Sequence, residues 1–196
     1  MTKVKKLLKN VLALSLCVCA IAGMSVSASA AEARVDDFGR SYSGRTVRVV
    51  SYSDPTQELN VLTSSSVSNN KNVTTWPVSQ ADEYHNFVVY REGNTKYSLR
   101  VSKSPNYAVE LYYGSSNMYN CDVYDVNAGS KYIKPEDYQL SASTLDSYYK
   151  FYVAKNGYAL TTGSNMTVAG TSIKDVRWAS GSLNDNKQYW TITMIK

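Results

Sequence analysis

The mature part of this 196-residue chain holds few groups suited to covalent or acid–base chemistry. It has one histidine, His85, and once the first thirty residues are set aside one cysteine, Cys121. No H-E-x-x-H, G-x-S-x-G, phosphate-binding glycine loop or C-x-x-C is present there. The carboxylates are scattered, and although two could act as an acid and base on a glycosidic bond, nothing in their spacing selects a pair. Asp122 with Asp125, or Glu136 with Asp137, could touch calcium, but no loop has EF-hand spacing. The sequence therefore implies no catalytic residue, no metal and no cofactor.

What does recur is aromatic. Trp76, Tyr124 and Trp178 each end a short strand-like segment, 48 and 54 residues apart. A second aromatic follows each after a polar loop: Phe87, Phe151 and Trp190, each with an acidic residue five positions ahead (Asp82, Asp146, Asp185). Ahead of each unit lies another short strand, Leu59–Leu62, Tyr107–Leu111 and Tyr158–Thr161. A repeat of this kind divides the chain into three units of about fifty residues with about four strands each.

The segments that must position these residues are strands. Val47-Arg48-Val49, Phe87-Val88-Val89-Tyr90 and Thr191-Ile192-Thr193-Met194-Ile195 alternate with period 2, and Ser/Asn/Gly clusters separate such runs. All 17 tyrosines, good strand formers, lie after the first thirty residues. No sustained helical spacing occurs; Lys134-Pro135-Glu136-Asp137-Tyr138 can start one short turn, because proline suits the first helical position. The fold class is all-β.

This pattern resembles the ricin-type β-trefoil, a three-lobed carbohydrate-binding fold. The resemblance rests on Leu59-Asn60-Val61, on Val73-Thr74-Thr75-Trp76 and on Gln188-Tyr189-Trp190, counterparts of an L-D-V strand, a V-x-x-W strand and a Q-x-W. It covers residues 46–196. His85-Asn86-Phe87 and Tyr149-Lys150-Phe151 stand in for Q-x-W in the other lobes, which puts about fifteen extra residues between Tyr124 and Phe151 of the middle lobe. The resemblance implies that Phe87, Phe151 and Trp190 plug the barrel core, and that Gln188 bonds nearby backbone. It implies glycan binding by aromatics that stack on a sugar ring beside a polar side chain: Asn60 with Trp76, Glu110 with Tyr124, and Thr161 or Thr162 with Trp178. None of these polar residues is the family's aspartate. The first lobe matches both elements best and is the expected site. The rival reading is a trefoil that binds a protein partner, as an inhibitor or adhesion factor, through the Lys- and Tyr-rich loop of residues 125–144.

The N-terminus carries an address. Lys3, Lys5, Lys6 and Lys9 precede an apolar run from Val11 to Met24, and Ala28-Ser29-Ala30 fits a cleavage site. That run is too short to span a bilayer, which takes about 20 residues. Residues 1–30 therefore read as a signal peptide, with the mature chain starting at Ala31, secreted and without a membrane span. The net charge of +5 falls with it, leaving seventeen basic against sixteen acidic residues, which offers nothing to nucleic acid or an anionic membrane. Cys121 remains unpaired in the mature monomer, and residues 31–45, mixing charge, Gly and Ser without period, read as a flexible leader.

Overall fold

In the computed structural model, which describes residues 33–34, 37–112 and 119–195, the period-2 segments form strands. A short β1 (Ala33–Arg34) comes first, and twelve more follow as three sets of four. Lobe one holds β2 (Thr46–Ser51), β3 (Gln57–Val61), β4 (Lys71–Pro77) and β5 (Phe87–Arg91). Lobe two holds β6 (Tyr97–Val101), β7 (Tyr107–Tyr112), β8 (Tyr119–Asp125) and β9 (Leu140–Leu145). Lobe three holds β10 (Tyr148–Val153), β11 (Ala159–Val168), β12 (Thr171–Ala179) and β13 (Trp190–Met194).

The first and last strands of the lobes close into a six-stranded barrel. β2 pairs with β5 and β5 with β6; β6 meets β9 and β9 pairs with β10; β10 meets β13, which returns to β2. Closure leaves no open sheet edge among these six strands. The inner strands form three hairpins, β3–β4, β7–β8 and β11–β12, which pair with one another through β4–β8, β8–β12 and β12–β4. Their apolar faces supply Leu59, Val61, Val109, Leu111, Val123 and Leu160 to the core. Cys121 is buried with them and carries a free thiol, pushed well above its ordinary pKa by burial, with Asp122 and Glu110 adding to the effect.

Phe87, Phe151 and Trp190 are all buried in the core. The register nevertheless corrects the assignment of Phe151. Phe87 pairs with Val47 and Val101, and Trp190 with Tyr149 and Ser51. The residue with the matching pair in lobe two is Leu140, opposite Tyr97 and Val153. Phe151 belongs to the first strand of lobe three. The lobe-two counterpart of Q-x-W is Tyr138-Gln139-Leu140, a leucine that carries no aromatic signal. Asp146, read as that lobe's leading acid, sits instead in the β9–β10 turn at φ 54°. Asp82 and Asp185 do what their position implies, accepting from the amides of Tyr84 and Lys187 to cap 3-10 turns before Phe87 and Trp190. The middle-lobe insertion shrinks accordingly: Tyr124 and Leu140 are sixteen residues apart, against eleven and twelve for Trp76–Phe87 and Trp178–Trp190. It contains the expected short turn, α2 (Pro135–Tyr138), where the Lys134 amide donates to Asp137 Oδ2 at 2.9 Å.

Part of the segment read as a flexible leader has regular structure. Asp37–Tyr42 forms helix α1, and Phe38 on it is buried. Its ring meets those of Tyr97, Tyr149 and Phe151 edge-on, with centroids 5.1–5.6 Å apart. Gly39 is needed for this approach, since a Cβ there would lie 1.6 Å from the Tyr97 ring. The Gly44 amide then donates to Val89 O at 2.8 Å. Hydrophobic periodicity does not reveal the segment, because Phe38 and the partly buried Tyr42 are the side chains that dock it and they make no repeating pattern. Residues 1–30, read from the sequence as a signal peptide, lie outside the described residues.

Candidate functional site

In lobes one and two the hairpins put the expected aromatic and polar residues in equivalent places, on the face away from core Leu59, Val61, Val109 and Val123; lobe three is one residue out of step, and Trp178 shares the core face with Leu160 and Val176. Trp76 faces Glu58 across its hairpin, Tyr124 faces Ala108, and Trp178 faces Leu160. Two residues along, Asn60 pairs with Thr74, Glu110 with Asp122, and Thr162 with Val176. Each polar residue and its aromatic are thus diagonal neighbours on one face, about 7–8 Å apart in backbone terms. Their surroundings then diverge.

In lobe three Trp178 is fully buried, and its indole N–H donates to the backbone carbonyl of Glu110 at 2.9 Å. Thr162 is buried too, its hydroxyl donating to Lys187 O at 3.1 Å. Neither ring face is open to a sugar, so Trp178 is a core residue, contrary to its expected role. In lobe one Asn60 is buried, while Trp76 is half-buried and donates its N–H to Gln80 Oε1 at 3.2 Å. A shallow depression of about 810 Å³ lies between Pro55–Gln57, Pro77–Gln80 and Gly170–Ser172, and neither Asn60 nor Trp76 lines it. His85, at the Q position, is buried with Nδ1 2.8 Å from Glu58 Oε1, which ties the turn before β5 to β3. Gln188, the family residue, accepts from the Ser182 amide and donates to Ser180 O, as its position implies.

Lobe two has a cleft of about 360 Å³ that contains both expected residues, Glu110 and Tyr124. Tyr112 and Tyr132 join Tyr124 in the lining, and both are well exposed. Lys131, Lys134 and Asp137 come from the lobe-two insertion, and Lys155 from the turn after β10. Lys155 and Asp137 form an ion pair at 2.6 Å. Glu110 itself is only 4% exposed, and its Oε1 has no hydrogen-bond partner.

The electrostatics follow from this burial. Desolvation, then the nearby Asp122 and Asp137, raise the Glu110 pKa to about 8 against a weaker pull from Lys155. Burial and Asp175 raise Asp122 to about 6. At neutral pH Glu110 is therefore a neutral carboxylic acid, able both to donate and to accept a hydrogen bond. Among the described residues no group of three or more His, Cys, Asp or Glu side chains is placed to hold a metal ion, and no helix is long and apolar enough to cross a membrane.

Sequence reasoning found Glu110 and Tyr124 through the repeat. It found Lys131, Tyr132, Lys134 and Asp137 only as members of a loop assigned to protein contact. Tyr112 and Lys155 carried no signal, because neither belongs to a motif and they converge only in three dimensions.

No protein-family model matches the sequence, and no curated protein does. Solved structures do match. A designed three-fold symmetric protein, ThreeFoil, superposes with a TM-score of 0.62 at 20% identity, over 76% of this chain and 99% of that one. A Polyporus squamosus lectin bound to a human-type influenza-binding epitope gives 0.60 at 14% identity, over 78% of this chain and 49% of that one. An exo-β-1,3-galactanase from Clostridium thermocellum gives 0.60 at 17% identity, over 77% of this chain and 30% of that one. This chain thus spans about half of the lectin and under a third of the galactanase. A lectin, an enzyme and a designed protein share the architecture, and the chain has the β-trefoil fold.

Proposed function

We propose that this protein is an exported, non-catalytic glycan-binding trefoil whose binding site is the second-lobe cleft, with Glu110 and Tyr124 at its centre. The observation that carries this reading is the buried, unpartnered Oε1 of Glu110 in the lining of a cleft that also holds three tyrosines. A buried polar atom without a partner costs about 1–3 kcal/mol, and a ligand hydroxyl would remove that cost. Tyrosine rings offer flat apolar surface for a sugar's C–H face with a hydroxyl at the rim. The first lobe, favoured by motif matching, has a Trp76 that is half-buried and an Asn60 that is buried. Export by the signal peptide of residues 1–30 places such a module where polysaccharides are found, and a mature mass beginning at Ala31 in culture medium would support it.

Affinity electrophoresis and a glycan array on the mature protein test the reading. Tyr124→Ala is expected to weaken binding at least fivefold while Trp76→Ala leaves it within twofold. Absence of binding to any glycan at millimolar sugar would remove the reading. Loss on Trp76→Ala but not on Tyr124→Ala would return the site to lobe one. The exposed tip at Lys131 and Tyr132 also suits a protein partner, and capture that survives excess glycan but fails when residues 130–134 are replaced would favour that alternative.

A further inference from the structure

We propose that the second-lobe cleft selects acidic saccharides, sugars that bear a carboxylate, over neutral ones. This rests on the glycan-binding reading of the same cleft and adds the class of sugar.

The charge of the lining favours an acidic ligand. Three lysines contribute, Lys131, Lys134 and Lys155, against two acids, Glu110 and Asp137. Asp137 is already engaged by Lys155 at 2.6 Å, so these two cancel locally. Glu110 is buried beside Asp122, its direct cross-strand neighbour, and the charge of Asp175 on β12 in turn acts on Asp122. Burial first, then the neighbouring carboxyls of Asp122 and Asp137, disfavour the ionised form of Glu110 and raise its pKa to about 8. Lys131 and Lys134 then have no ionised acid of the lining to match them, and the cleft is cationic at its mouth and neutral at its floor. The Lys131 ammonium lies 5.6 Å from the Tyr132 ring, so the charge and the stacking surface sit together. A neutral sugar would satisfy Glu110 and the tyrosines but leave both lysines facing solvent. A sugar carboxylate reaches them while its hydroxyls meet the protonated Glu110, whose O–H can donate to an oxygen where an ionised carboxylate would repel the ligand.

The test compares matched pairs on the mature protein by calorimetry: glucuronate with glucose, galacturonate with galactose, and sialyllactose with lactose, all at low salt. The acidic member of at least one pair is expected to bind about tenfold or more tighter than its neutral partner. That preference should fall to within twofold in the double variant Lys131→Gln, Lys134→Gln, and should shrink as salt screens the charges. Raising the pH from 6.5 to 9 should weaken acidic-sugar binding in the parent but not in Glu110→Gln, which cannot ionise. Equal affinity for both members of every pair that binds would overturn the selectivity while leaving glycan binding intact. Binding of no member of any pair would overturn both. A preference that persists in the double lysine variant would also overturn the proposal, because the charge would then lie elsewhere.

Discussion

Stability of this protein should fall as the pH rises from about 5 to 9, and Glu110 should be the main cause. In the unfolded chain its carboxyl titrates near 4.5; in the fold burial and Asp122 hold it at about 8. Between those values the folded protein keeps a proton that the unfolded chain has lost. Proton binding then favours the folded state at low pH, and the stabilisation is lost as pH rises through the folded value. The gap between 4.5 and about 8 corresponds to an upper limit of about 5 kcal/mol. Asp122, raised from 3.8 to about 6, acts in the same direction over a lower window. Glu110→Gln copies the shape and hydrogen-bonding of the protonated acid without its proton. The variant should match the parent within about 1 kcal/mol at pH 5 and exceed it by a few kcal/mol at pH 9. Urea unfolding at five pH values, with m-values checked for constancy, measures this. A parent whose stability is flat from pH 5 to 9, or a Gln variant that loses as much as the parent, would refute the picture of a buried protonated carboxyl.

Three further outcomes follow from packing. Phe38→Ala should cost about 3–5 kcal/mol, because α1 docks through that ring; a loss under about 1 kcal/mol in chemical unfolding would restore a loosely attached leader. Trp178→Ala should cost a similar amount, whereas Trp76→Ala, half-exposed, should cost under about 2 kcal/mol, and the reverse ranking in thermal melts would contradict the burial of these two rings. Ala169 holds φ 49° in the two-residue β11–β12 turn, a conformation that alanine tolerates poorly, so Ala169→Asn should stabilise by up to about 1 kcal/mol and raise Tm by a few degrees.

How much of this was legible depended on whether the signal was periodic. The repeat of strands survives in sequence because each lobe must present alternate residues to one barrel, so residues such as Val47 and Val49 keep their alternation. The trefoil resemblance needed only that alternation and a few aromatics. Leu140 broke the reading of lobe two because the barrel position demands bulk and apolarity, not an aromatic ring, and a leucine does not stand out among others. Phe151, two strand positions from Val153, stood out and was taken in its place. The α1 plug was invisible for a related reason: one buried phenylalanine and one close-packed glycine make no pattern in fifteen residues.

The site shows the limit more sharply. Motif matching ranks the three lobes by how well single residues resemble a family pattern, and so places Trp76 ahead of Tyr124. Burial reverses the ranking, because a ring binds a ligand only if one face stays open, and openness is set by neighbouring loops. The four or five residues gained between β8 and β9 bring Lys131, Tyr132 and Asp137 over the hairpin that carries Glu110 and Tyr124, and lobes one and three have no such wall. Trp178 still bears on that site, though from the inside. Its indole N–H holds the backbone carbonyl of Glu110, so the aromatic that repetition assigned to a third sugar site instead fixes the strand on which the acid of the proposed second-lobe site sits. Exact three-fold symmetry would have given three equivalent half-sites. Departure from it, by one insertion and one buried tryptophan, sets the second-lobe cleft apart from the corresponding faces of the other two lobes.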